Sequence, residues 1–138
     1  GILKEDEMHI TPYNEIVKEL EEIENFLGIT MSDNPEEIIE RGNALQVYLA
    51  RSAKLVADAE YYLNDELKTE ILNVIEQIIP RHLSATVQNT LVNAIAKDQR
   101  HVVRWSERLN RAVTHQLDWC RSRLSYEKEQ LRNNFPIQ

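Results

Sequence analysis

Glycine stands at only three positions in this 138-residue chain, Gly1, Gly28 and Gly42, and proline at four. Sheet proteins need many tight connections, and glycine and proline are the residues that best make them. A chain this poor in both is pushed away from all-β and α/β architectures and toward a few long helices. The length suits one domain, and at this size roughly 70% of the unfolded chain's surface is buried on folding. Hydrophobic residues at 42% and charged residues at 28% belong to a folded globular chain, not to a disordered one.

The apolar residues recur with helical period. Thr11 followed by Pro12 reads as a helix start, a capping hydroxyl with proline at the first helical position. Tyr13, Ile16, Val17, Leu20, Ile23 and Leu27 then mark one face, Gly28 a stop, and Glu15, Glu19, Glu21, Glu22 and Glu24 an acidic opposite face. A second start follows, with Ser32, Asp33 or Asn34 as the cap and Pro35 at the first position. From there a stripe runs through Ile38, Leu45, Leu49, Val56 and Leu63, and stays in phase through Leu67, Ile71, Val74 and Ile78. Gly42, Ser52, Ala53 and Ala59 lie on it, and small residues there let a neighbouring helix come close. Asn64-Asp65 is a candidate break that the phase does not require, and Pro80 is expected to end the helix.

Ser84 is expected to cap a helix carrying Val87, Leu91, Ala94 and Ile95. Beyond Asp98, itself a candidate cap, the stripe continues through Val102, Trp105, Leu109, Val113, Leu117, Cys120, Leu124 and Leu131. A helix from Asp98 to Arg132 would be on the order of 50 Å long, so it should pack lengthwise against another long helix. The expected fold is therefore all-α: an elongated helical bundle with a long C-terminal helix. Residues 1–10 are expected to form a flexible tail and residues 11–138 a single domain. Gly1 in place of Met reads as a scar of tag removal.

Several kinds of chemistry find no support. One cysteine, Cys120, permits no internal disulfide, and it sits on the apolar stripe as a core residue. No run of about 18 apolar residues suggests a membrane span, and GILKEDEMHI lacks the basic and apolar regions of a signal peptide. A cytoplasmic protein is the expectation. His9, His82, His101, His115 and Cys120 have no zinc-finger spacing. Asp98-x-x-His101 has the separation of a carboxylate–histidine ligand pair, but a di-iron bundle needs two such pairs and more inward carboxylates. Ser125-x-x-Lys128 puts a serine one turn from a lysine without the companion motifs of an acyl-transfer site. Glycine is too scarce for a phosphate-cradling loop. The segment LSATVQNTLVN, Leu83–Asn93, resembles a DNA-reading helix in flavour, yet its spacing is off by one. Tyr48, Tyr61 and Tyr62 are expected to pack, with Tyr61 on the polar side. No catalytic residue, metal ligand or cofactor site is expected.

Charge is what the chain distributes unevenly. Residues 1–80 hold six basic and 18 acidic side chains, and residues 81–138 hold ten basic and five acidic, eight of those ten being arginine. On the last helix Arg100, Arg104, Arg108, Arg111 and His115 line up opposite the apolar stripe, flanked by Glu107 and ended by Asp118. Trp119 and Arg123 lie on an adjacent strip. Guanidinium groups chelate phosphates and carboxylates, and tryptophan offers a stacking face, so this surface fits a nucleic acid or an acidic protein. The bland reading is a solvated face with local pairs such as Glu107 with Arg111, or one that the acidic first helix covers. A net charge of −7 favours the bland reading.

The segments ARSAKLVADAEYYLN, Ala50–Asn64, and RWSERLNRAVTHQLDWCRSRLSYEKEQL, Arg104–Leu131, resemble uncharacterised small helical proteins encoded by bacteriophages and prophages. The likeness spans residues 37–131 and is one of texture. It implies a bacterial cytoplasm and an accessory role near phage DNA metabolism, and carries no site residues with it. The sequence thus points to a non-enzymatic, self-associating helical interaction protein, a homo-oligomer with room for a protein partner. Its alternative is an accessory nucleic-acid binder using the arginine face.

Overall fold

The computed structural model describes residues 9–134; residues 1–8, most of the expected tail, and residues 135–138 lie outside them. The described residues hold four helices and no strand, and 87% of them are helical. The helices are α1 (Tyr13–Leu27), α2 (Pro35–Arg81), α3 (Ala85–Ala94) and α4 (Lys97–Asn134). At 47 residues α2 is about 70 Å long, and at 38 residues α4 is about 57 Å long. Among the described residues no helix is long and apolar enough to cross a membrane.

Helix starts follow the local chemistry in two cases and depart from it in two. Asn34 caps α2, its side chain accepting from the Glu36 N–H at 2.9 Å, with Pro35 at the first position. Ser84 caps α3 by accepting from the Val87 N–H at 3.3 Å. Thr11, by contrast, does not cap α1: Pro12 occupies the cap position and the helix begins at Tyr13. The Thr11 groups are drawn away to α2, where its N–H donates to Asp58 Oδ2 and its hydroxyl accepts from Arg51, both at 2.9 Å. Asp98 is not a cap either, because α4 begins one residue earlier and places Asp98 in its first turn. A carboxylate there still meets the positive end of the helix dipole.

The candidate break at Asn64-Asp65 does not occur, and α2 runs one residue past Pro80. The ring removes one amide donor but leaves Arg81 helical, and His82 then turns the chain with φ of 49°. The real interruption before α4 is the Ile95-Ala96 pair, where Ala96 takes φ of 55° and its N–H reaches Glu70 Oε2 at 3.3 Å.

α2 and α4 lie antiparallel, as three cross-links along their length show. Arg41 donates to Gln116 at 2.8 Å, Asn110 to Ser52 at 2.9 Å, and Glu70 accepts from Ala96. α1 fills the groove between them. Ile16, Leu20 and Ile23 recur on one face of α1 and are at most 1% exposed. They meet Ile38, Leu45, Leu55 and Ala59 of α2 and Val102, Leu109, Val113, Leu117 and Cys120 of α4 in one core. Each fully buried side chain of this kind contributes about 1.5–3 kcal/mol of transfer free energy. Leu55, not Val56, is the fully buried residue of that turn of α2. Ser52 and Ser106, both fully buried, give the close approach of α2 and α4. Gly42 does not serve that end, since a Cβ there would meet nothing within 4 Å, and Ala53 is exposed.

The remaining length of α2 is different. Beyond Leu63 none of its residues is buried, and neither is any of α3, which folds back against it. Leu72, Ile75, Ile79, Val87 and Val92 are between 41% and 68% exposed. The stripe through Leu67, Ile71, Val74 and Ile78 continues in phase, but Leu72, Ile75 and Ile79 widen it beyond what a ten-residue α3 can cover.

Candidate functional site

The predicted surface residues all lie on α4, and the structure separates them into two groups. Arg104, Arg108, Arg111 and His115 are exposed on the side away from the core. None of the three arginines has an ion-pair partner among the described residues, and the expected Glu107–Arg111 pair does not form. Arg100 is half-buried and donates to the Asn93 carbonyl at 3.0 Å, closing the α3–α4 turn. Arg123 is also held: it pairs with Glu127 at 3.2 Å and Asp33 at 3.7 Å, and its guanidinium lies 5.4 Å from the Tyr126 ring centre. Two of the predicted arginines therefore tie the fold together, and three remain unneutralised.

The acidic helix does not lie across this row. α1 turns its apolar face into the core beside α4, and Glu19 is engaged by Arg51 of α2 at 2.7 Å. Glu15, Glu21, Glu22 and Glu24 are exposed on the outside of α1. Only the edge of α1 reaches the row, where Glu24 faces a groove of about 590 Å³ lined by His101, Arg104, Trp105, Arg108, Leu109 and Ala112. On the opposite flank, Ala53 and Val56 of α2 border a second groove of about 500 Å³ with Glu107, Asn110, Arg111, Thr114 and His115.

Trp105 keeps its place on the stripe, packed against the core, but only half-buried. It also borders the first groove beside Arg104 and Arg108. Its ring centre is 6.2 Å from that of His101. Trp119 lies 40% exposed and Tyr126 53% exposed, and together with Ser122 and Arg123 they line a third, shallower hollow. Trp105, Trp119 and Tyr126 are separated by 14 and 7 residues, whole pairs of turns, so they share one strip of α4. That spacing was the available signal: Trp105 recurs with two exposed aromatics as well as with the stripe.

Elsewhere the polar chemistry is structural. Burial alone would raise the Asp58 carboxyl, but hydrogen bonds from Lys54 and from the Thr11 backbone and hydroxyl hold it below its ordinary value. Lys54 Nζ approaches Asp58 Oδ1 at 2.6 Å. Burial pushes the Cys120 thiol up despite nearby Arg41, which suits a packed side chain and not a nucleophile. Burial likewise lowers Arg41, whose guanidinium sits 4.4 Å from the Phe26 ring centre and, with Gln116, caps the Leu27 carbonyl ending α1. Among the described residues no three His, Cys, Asp or Glu side chains gather as a metal site would need. Ser125 and Lys128 are both exposed to solvent. Comparison with protein-family models, curated proteins and solved structures finds no match to this chain.

Proposed function

We propose that the protein is a non-enzymatic helical interaction protein that self-associates through the arm made by α3 and the distal part of α2. The observation that carries this reading is the set of exposed apolar side chains Leu72, Ile75, Ile79, Val87 and Val92 on a two-helix layer. Such a layer buries little by itself, and exposed apolar patches of this kind mark interaction sites. A second copy is the simplest partner, because antiparallel pairing of two such arms places like strips against each other and completes a four-helix layer. The catalytic reading has no residue set behind it.

Light scattering on purified protein tests the idea, with the pair Leu72→Glu and Ile79→Glu as the perturbation. The wild type is expected to give at least a dimer mass and a melting temperature that rises with concentration. The double variant should give the mass of one chain while keeping its helical content. A wild type that is monomeric at all concentrations would contradict self-association.

A further inference from the structure

We propose that the exposed side of α4 binds single-stranded nucleic acid, with phosphates on Arg104, Arg108 and Arg111 and bases stacked on Trp105, Trp119 and Tyr126. The cations are available: the three guanidiniums are exposed and have no carboxylate partner among the described residues. Arg104 and Arg108 stand one turn apart, about 6 Å along the axis, and the phosphates of an extended strand recur on that scale. The free arginines span about 10 Å from Arg104 to Arg111 beside Trp105, and the aromatic strip continues about 22 Å beyond Arg111 through Trp119 to Tyr126. A cationic track with aromatic faces along it is the arrangement that holds unpaired strands, since every base has a face to stack.

The surroundings select one strand over two. Glu24 of α1 borders the groove that holds Trp105, and Glu21 lies one turn before it on the same face. A single backbone fits along the row, whereas the second backbone of a duplex would lie over that acidic shoulder. Bases stacked inside a duplex also cannot reach Trp105 in its groove. The net charge of −7 does not forbid the contact. At about 0.1 M salt the Debye length is about 10 Å, so a bound phosphate responds mainly to the nearest side chains. An acidic protein segment would satisfy the arginines but would leave the aromatic strip unused.

The test is fluorescence anisotropy of a labelled oligothymidylate of about 15 nucleotides, within the range such surfaces occupy, with its duplex and poly-glutamate of equal length as competitors. Quenching of the two tryptophans is followed in parallel. The single strand is expected to bind and to quench, and to compete better than either alternative. With three phosphates neutralised, raising salt from 50 to 200 mM should weaken binding about 20-fold. Trp119→Ala should weaken it about tenfold, and R104E with R108E should abolish it. Light scattering and helical circular dichroism on each variant establish that it folds and associates as the wild type does. Because the arm and this face are distinct, L72E with I79E separates loss of self-association from loss of binding at a single site. Absence of single-strand binding at the lowest salt would overturn the proposal. So would an unchanged affinity in the double arginine variant, or stronger binding of duplex or poly-glutamate.

Discussion

The two ends of α2 carry similar apolar content and meet different fates. Between Ile38 and Leu63 the helix faces both α1 and α4, and Leu45 and Leu55 are completely buried. Between Leu67 and Ile79 it meets the short α3 and, at Glu70, the turn before α4, and Leu72 and Ile79 stay 60% and 68% exposed. The residue types hardly differ. What differs is the number of neighbours, because a helix buries a wide stripe only when two others flank it. The contrast teaches that the proximal part is a finished core and the distal part an unfinished layer, the one proposed above to self-associate.

The largest expected effects lie in the finished part. Leu20→Ala removes a fully buried side chain where three helices meet, and should cost about 3–4 kcal/mol in denaturant unfolding. A cost below about 1 kcal/mol would mean that α1 is not seated as described. Next is Asp58→Asn. Asp58 is 3% exposed and joins the segment before α1 to α2, so losing its charge-assisted bonds should cost about 1–3 kcal/mol near neutral pH. Its folded carboxyl sits below the ordinary value, so its stabilisation is present above the unfolded pKa and lost as pH falls through the folded one. The gap between wild type and variant should therefore narrow on acidification below about pH 4. A gap that widens there would contradict the network. The smallest effect belongs to the arm: in dilute protein Leu72→Ala should change stability by less than about 0.5 kcal/mol, as for an exposed site.

Much of this arrangement was legible in the sequence. Asn34-Pro35 and Ser84 mark helix starts because their capping chemistry is local, and Val102, Leu109, Val113, Leu117 and Cys120 keep one buried phase along α4, although Leu131, expected on the same stripe, is 61% exposed. What escaped depends on partners. Periodicity fixes the direction of a stripe but not its width, so it points to Val56 where Leu55 is the fully buried residue, and it does not show that Trp105, packed on the core, also borders a groove. Asp58 carries no signal in the sequence, because its partner Thr11 lies 47 residues away, and Thr11 reads as a cap until Asp58 and Arg51 claim its polar groups. The arginine row was found from its spacing alone. That Arg100 and Arg123 are held by Asn93, Asp33 and Glu127, leaving three free cations, required the fold.

The unfinished layer is most directly tested by hydrogen–deuterium exchange at two protein concentrations well apart. Core amides such as those of Leu45 and Val113 should be strongly protected at both. Amides from Leu72 to Ile79 and those of α3 should exchange readily in dilute protein and gain protection as concentration rises. Protection of the arm that is high and independent of concentration would contradict the account, since it would mean that a single chain already completes the layer.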